Sequence, residues 1–420
     1  MNVKAKNQFY LGAFCAIIGA FTGAIIWIFL KAMSMGTSLI WEWLPGRIQI
    51  PFYTIIVCVL GGLVIGIFRK MFGDYPEELS TVLGKMKADK RYEYRNMLVL
   101  LIAALLPLLI GSSVGPEAGL TGIIVGLCCW AGENLKFARK HAKEYSDVGM
   151  AVTLGVLFHS PLFGIFAVEE ESQDREIPAL TKTSKVLVYG LALAAGSGTY
   201  LLLSALFGAG MEGFPSFPAA EPAHRDYLMI LPYIISGCLL ALFYQFTHHA
   251  CQFLALKLPA IIRETLGGLM LGVTGFFLPV IMFSGEEQMS TLMTHPFDYL
   301  PWCLIGIAFL KVLLTNICIQ SGLRGGHFFP VIFAGVCLGY GIAGLTFPGS
   351  SEHVVFAAAI VTASLLGGIM KKPFAVTMLL FLCFPVKMFV WIFLAAAVGS
   401  KAGSLADAVA LFNPADCNKK

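Results

Sequence analysis

The chain has 420 residues, of which 57% are hydrophobic and 13% are charged, and its formal net charge is +4. Soluble domains carry about 25% charged residues, whereas the mean hydropathy here is +0.79. This composition excludes a soluble globular protein and predicts an all-α, polytopic membrane protein.

Apolar runs recur along the whole chain. They lie at about 8–32, 50–68, 97–111, 117–131, 147–168, 185–208, 227–247, 265–283, 301–319, 328–347, 354–370 and 373–399. Some of them, such as 97–111 and 117–131, are shorter than the roughly 20 residues that cross a bilayer as a helix. We therefore expect broken or re-entrant helices among the full spans. The first run is long and has no early small-residue cleavage site, so no cleavable signal peptide is predicted.

Lysine and arginine cluster in three segments between the apolar runs, at 4–6, 69–95 and 136–143. The positive-inside rule places these segments, and with them the N-terminus, in the cytoplasm. The basic part of the second segment lacks the length and the aromatic residues of a nucleic-acid site, so we predict no nucleic-acid partner. The 11 cysteines are scattered without a CxxC pair, which indicates core residues rather than disulfides or a metal site.

The most informative stretch is residues 111–126, where Glu117 stands between two apolar runs. A carboxylate at bilayer depth costs several kcal/mol unless polar groups receive it, so Glu117 is a functional candidate. Gly111, Gly115 and Pro116 predict that one helix ends near Gly111 and another begins at about Pro116. Such a helix start presents N–H groups and the positive end of the helix dipole. The alternative is a glycine-rich kink in which Glu117 bonds to a neighbour.

The second half of the chain repeats this plan at residues 321–335. Three landmarks recur at an offset of 211 or 212 residues: Gly111 with Gly322, Gly115 with Gly326, and Pro161 with Pro373. Interrupted apolar segments at matching places in two halves are typical of inverted-repeat transporters with a midplane site. Helix N-termini that converge on one point favour an anion. The polar segment 208–225 separates the halves, which predicts one transmembrane repeat at 1–207 and another at 226–420.

These motifs resemble those of the CLC family of chloride channels and transporters. Residues 111–119 are similar to the family's Gly-x-x-x-Gly-Arg-Glu-Gly-Pro, and residues 321–330 match Gly-x-Phe-x-Pro in the context Ser-Gly-x-x-Gly-Gly. Residues 159–170 are similar to Asn-Ala-Pro-Leu-Ala-Gly-Ile-hydrophobic-Glu-Glu. The resemblance implies a fold of two inverted repeats of broken and tilted helices. It also implies transport of a small inorganic anion, with chloride as the anion expected first, coupled to proton antiport. The alternatives are a passive voltage- or pH-gated chloride channel, or a fluoride- or nitrate-selective relative.

The resemblance also implies roles for individual residues. Glu117 corresponds to the gating glutamate, which competes with the anion and takes up the external proton. Glu170 corresponds to the internal proton acceptor, and a shift by one residue in this run of acids would give Glu169 or Glu171 that role. A solvated helix end is the alternative for this run. The backbone positions expected to bind the anion are Gly115, Pro116, Ala118, Gly326, His327 and Phe328.

The chain departs from the family pattern on the inner side of the expected site. Gly73 stands where the family has a coordinating serine, so the inner-site loop at Gly73, Asp74 and Tyr75 has no assured hydroxyl. The family's C-terminal tyrosine has no match either, because the last tyrosine is Tyr340. These changes leave chloride, nitrate and fluoride open as the preferred anion.

The resemblance implies a homodimer in the bacterial inner membrane, with anions, protons and lipid as partners. No cofactor, no metal and no cytoplasmic CBS domain pair is expected. His327 is interpreted as a packed or solvent-facing histidine. Lys311 and Lys387, which interrupt apolar runs, are interpreted as snorkelling or structural.

Three other classes of protein are weighed against an anion transporter. An intramembrane enzyme would need a second converging catalytic group, but Phe328 stands at the repeat position that corresponds to Glu117, so we predict no enzyme. An organic-solute transporter would need a roomier cavity than two converging helix ends leave. A purely structural membrane protein is disfavoured by the acid at bilayer depth.

Overall fold

The computed structural model describes residues 3–48, 50–73, 75, 97–134, 142–158, 160–172, 182–208, 215–220, 222–295, 298–348 and 353–411. Over these ranges the chain is mostly helical and forms no β-strand. Eight helices in the described part of the chain are long and apolar enough to cross a membrane. The predicted all-α, polytopic fold is therefore confirmed.

The longer helices follow one another in chain order. They are α1 (Val3–Ser38), α2 (Tyr53–Phe72), α3 (Met97–Leu109), α4 (Glu117–Asn134), α5 (Ala142–Leu157), α6 (Pro161–Ser172), α7 (Lys182–Phe207), α8 (Ile230–Ala255), α9 (Ala260–Phe277), α10 (Glu286–Thr294), α11 (Pro301–Ser321), α12 (Phe328–Thr346), α13 (Val354–Met370), α14 (Pro373–Leu380) and α15 (Phe389–Leu411). Several of these helices are too short to span a bilayer: α3 has 13 residues and α14 has 8. The expectation of broken helices among full spans is confirmed.

The chain divides into two compact units. The first comprises Met1–Phe214, Leu258–Ser284 and Ser321–His327, and the second comprises Pro215–Lys257, Gly285–Gln320 and Phe328–Lys420. The first unit therefore contains α1 to α7, α9 and the loop that precedes α12. The second unit contains the remaining helices, α11 as far as residue 320.

In the first unit, helices α2 and α9 pack at backbone distance. A Cβ at Gly268 of α9 would overlap the carbonyl oxygen of Cys58 in α2, and a Cβ at Gly272 would lie 2.8 Å from the Cα of Ile55. Small residues allow membrane helices to approach this closely, and van der Waals contact then holds them together. Arg69 lies on α2 and Glu264 lies on α9.

In the second unit, α12 and α13 form the centre. Every residue of α13 from Val354 to Gly368 is buried, as expected of a helix that is apolar on all sides. The buried hydroxyl of Ser364 in α13 is compatible with this position because it donates to the carbonyls of Ile360 and Val361. Helix α13 packs against α8, α12 and α15.

The second unit also corrects one interpretation made from the sequence. Lys311 lies midway along α11 and is fully buried, at 0% exposure, with its Nζ 5.4 Å from the centre of the Phe333 ring. A snorkelling lysine extends its ammonium to the membrane surface, so of the two interpretations of Lys311 the snorkelling one is wrong and the structural one remains. Lys387 is exposed.

The close packing of α2 and α9 leads to a stability prediction. Gly268→Ala should lower the free energy of unfolding by about 1–3 kcal/mol, because the added methyl group meets a backbone carbonyl that cannot move away cheaply. Gly190→Ala in α7 is the matched control, since a Cβ there meets nothing within 4 Å. Thermal unfolding in detergent measures both variants. Equal melting temperatures for the two would contradict the packing.

Candidate anion site

The first unit contains two irregular loops at corresponding repeat positions. Helix α3 ends at Leu109 and α4 begins at Glu117, and a second break separates Ser321 at the end of α11 from Phe328 at the start of α12. The predicted helix breaks are therefore confirmed. Gly111 and Gly322 share an unusual backbone conformation, with φ of +77° and +103°, which glycine adopts without steric cost.

A pair of backbone hydrogen bonds joins the two loops. The N–H of Gly115 donates to the carbonyl of Gly326, and the N–H of Gly326 donates to the carbonyl of Gly115, each with an N···O distance of 2.7 Å. These are the two residues that the sequence repeat aligns with each other. We call this reciprocal pair the Gly115–Gly326 bridge.

Glu117 places its carboxylate against the Gly115–Gly326 bridge. It is the first residue of α4 and is fully buried, at 0% exposure. A Cβ at Gly326 would overlap the carboxyl carbon and Oε1 of Glu117, and a Cβ at Gly115 would overlap Oε2. Only glycine at both bridge positions leaves room for the carboxylate. Glu117 thus lies inside the protein rather than towards lipid.

The loop that leads to Glu117 is buried along residues 111–116. Irregular backbone at membrane depth is tolerated when protein covers it, as here. The backbone carbonyl of Glu117 accepts a hydrogen bond from Thr121 Oγ1 at 2.7 Å. The hydroxyl of Ser112 is buried in this loop and has no hydrogen-bond partner among the described residues. It is therefore a further candidate donor to an anion in this site.

The other predicted anion-binding positions are distributed between the units. Pro116 and Ala118 are buried beside Glu117, and His327 is half-buried one residue after the bridge. Phe328, the first residue of α12, is buried and belongs to the second unit.

The predicted inner-site loop follows α2. Gly73 ends this helix with φ of +103°, and its N–H donates to the carbonyl of Arg69 at 2.9 Å. The N–H of Tyr75 donates to the carbonyl of Gly73 at 3.0 Å. Asp74 lies outside the described residues.

The predicted internal proton acceptor lies on α6. Both Glu170 and Glu169 belong to this helix, which begins at Pro161. Their side chains lie outside the described part of the structure.

One feature near these loops is not predicted from the sequence. Arg69 of α2 and Glu264 of α9 form a buried ion pair, with Nη1 2.7 Å from Oε1 and side-chain exposures of 3% and 0%. The sequence gives only a weak indication of this ion pair, because Arg69 immediately follows one apolar run and Glu264 immediately precedes another. Among the described residues, no group of three His, Cys, Asp or Glu side chains could hold a metal ion.

Comparison with known proteins identifies the family. Residues 61–404 match the family described as "Voltage gated chloride channel". The chain is 25% identical over 382 residues to the "Putative ion-transport protein YfeO" of Escherichia coli O17:K52:H18 (strain UMN026 / ExPEC), which covers 87% of this chain and 84% of that protein.

Solved structures with the same fold include two antiporters. A CLC-type fluoride/proton antiporter superposes with a TM-score of 0.73 at 19% identity and covers 94% of this chain and 96% of that chain. A slow cyanobacterial Cl-/H+ antiporter superposes with a TM-score of 0.75 at 17% identity and covers 96% of this chain and 98% of that chain. These similarities confirm the predicted CLC-like fold of a multi-pass membrane protein. The chain therefore belongs to the voltage gated chloride channel (CLC) family of anion transport proteins.

Proposed function

We propose that the protein moves a small inorganic anion through a site gated by Glu117 and exchanges it for protons. The observation that carries this proposal is the fully buried carboxylate of Glu117, which lies against the Gly115–Gly326 bridge. A buried acid inside a membrane protein indicates a transport or proton-relay function.

The proposed mechanism is competition between two negative groups. An ionised carboxylate and a small anion are both stabilised by N–H donors and by the positive end of a helix dipole. Glu117 at the first position of α4 occupies such a place. Protonation removes the charge of the carboxylate and therefore its attraction to that place, so the anion can take it.

The backbone geometry narrows the set of proposed anion donors. The N–H groups of Gly115 and Gly326 donate to each other's carbonyls, and Pro116 has no N–H. We therefore assign the binding role to the N–H groups of Ala118, the second residue of α4, and of His327, which immediately precedes α12. Phe328 keeps the role that the family motif implies.

Proton exchange requires a second acid, for which we propose Glu170, with Glu169 as the alternative. Support comes from the family motif at residues 159–170 and from the two similar structures described as antiporters. A passive chloride channel is the alternative function, since gating alone requires only Glu117. Chloride is the proposed anion, with fluoride and nitrate as alternatives. Recording the flux of each anion into liposomes together with internal pH distinguishes these possibilities.

The proposed assembly follows the family resemblance. We propose a homodimer in the bacterial inner membrane with its N-terminus in the cytoplasm. The chain would contain two repeats, at 1–207 and 226–420, joined by residues 208–225.

The first functional prediction concerns the gating acid. Glu117→Gln should abolish proton coupling and the pH dependence of anion flux, because an amide neither ionises nor competes as an anion. Liposome flux with simultaneous pH recording measures both quantities, and Glu287→Gln, at an exposed acid of α10, is the control. Proton movement against an anion gradient at the wild-type rate in Glu117→Gln would contradict the gating role.

The second functional prediction concerns the bridge. Gly326→Ala should displace the carboxylate of Glu117, because the new methyl group takes the place of its carboxyl carbon. The pH profile of anion flux should then flatten. Gly198→Ala is the control, since a Cβ there meets nothing within 4 Å. A wild-type pH profile in Gly326→Ala would show that the carboxylate does not need this position.

The third functional prediction concerns the internal acid. Glu170→Gln should stop proton movement while anion flux continues, since the anion route does not require this side chain. Glu169→Gln, measured in parallel, separates the two neighbouring acids. Coupling that is lost only in Glu169→Gln would transfer the role to Glu169, and coupling that survives in both variants would contradict an internal acid at Glu169 or Glu170.

A further inference from the structure

Arg69 contacts both the inner-site loop that the sequence predicts after α2 and the loop that leads to Gly326. Its backbone carbonyl accepts a hydrogen bond from the N–H of Gly73, at 2.9 Å, and so fixes the beginning of the inner-site loop. Its guanidinium lies against Gly322, at the beginning of the loop that leads to the Gly115–Gly326 bridge. Both contacts lie within the first unit.

The contact with Gly322 is close enough to determine the backbone there. A Cβ at Gly322 would overlap Nη1 of Arg69 and Oε1 of Glu264, and it would lie 2.8 Å from Cγ of Glu264. Gly322 also has φ of +103°, a conformation that other residues rarely adopt. The Arg69–Glu264 pair therefore forms the surface on which this turn rests.

The pair is buried and shares its acceptor oxygen with a third side chain. Oε1 of Glu264 is 2.7 Å from Nη1 of Arg69 and 2.9 Å from Nη2 of Arg263, whose side chain is 20% exposed. Buried ion pairs contribute little net stability, because desolvation offsets the attraction between the charges. A buried ion pair can instead fix the geometry of the segments that it joins, as buried polar groups do where they set the register between helices.

We propose that Arg69 and Glu264 are positioning residues that set the distance between the inner-site loop and the loop containing Gly326, and so determine which anion fits. This inference rests on the proposed transport function. In this proposal neither side chain touches the anion. The planar guanidinium suits this role because it can contact Glu264 and the Gly322 backbone in a fixed geometry.

The test compares three variants for the flux of chloride, nitrate and fluoride into liposomes. Arg69→Gln removes the positioning group, and Arg69→Lys keeps the charge but loses the planar guanidinium, so it remains informative if Arg69→Gln does not fold. Arg263→Gln removes the other positive charge that contacts the Glu264 carboxylate, but it leaves the contact between Arg69 and Gly322 in place. We expect the flux ratios among the anions to change by about tenfold in both Arg69 variants, since small displacements in a preorganised site have effects of this size. Arg263→Gln should retain the wild-type ratios.

A second measurement follows the loops without any anion. Spin labels introduced as unnatural amino acids at Tyr75 and His327, both in the first unit, report the distance between the two loops by double electron–electron resonance. The distance distribution should shift or broaden in Arg69→Lys and remain unchanged in Arg263→Gln.

Unchanged flux ratios and an unchanged label distance in Arg69→Lys would overturn the positioning role. Flux ratios and label distances that change equally in Arg263→Gln would also overturn it, because the loss of a positive charge beside Glu264 would then explain the effect. Absence of anion flux in the wild type would contradict the proposed function instead, and the label distances would still decide the positioning role.

Discussion

The reciprocal hydrogen bonds between Gly115 and Gly326 are the interaction on which the rest of the site depends. Two irregular loops at membrane depth have backbone groups that lipid cannot satisfy, and here each loop satisfies one donor and one acceptor of the other. The same contact requires glycine at both positions, because the Glu117 carboxylate fills the space where side chains would begin. One arrangement thus stabilises the loops and provides a place for a negative group.

A place suited to a carboxylate is also suited to a small anion, since both are stabilised by N–H donors at a helix start. In the mechanism that we propose, the two occupants exclude each other, and protonation favours the anion because it neutralises only the carboxylate. Two helices of the first unit support the geometry of these loops. Helices α2 and α9 pack through glycine, and their ion pair of Arg69 and Glu264 supports the turn at Gly322.

The sequence was sufficient for features with local chemical causes. Glycine and proline determine where helices stop and start, so the break before Glu117 and the alignment of Gly115 with Gly326 could be read from residue types and spacing. Contacts between distant segments could not be read in this way. Arg69 and Glu264 are separated by 195 residues, and a charged residue at the edge of an apolar run is ordinarily a surface residue. For the same reason the sequence could not decide between a snorkelling and a structural Lys311, because its burial depends on which helices surround α11.

The most direct test of the competition between Glu117 and the anion is calorimetric titration of the purified protein with chloride and with fluoride in buffers of different ionisation enthalpy. If an anion displaces the ionised carboxylate, the displaced group gains affinity for a proton, so binding takes up protons in buffers acidic enough to protonate that group. We expect a proton uptake of at most one per bound anion that depends on the buffer pH and disappears in Glu117→Gln. Anion binding by the wild-type protein without proton uptake at every pH tested would contradict this competition.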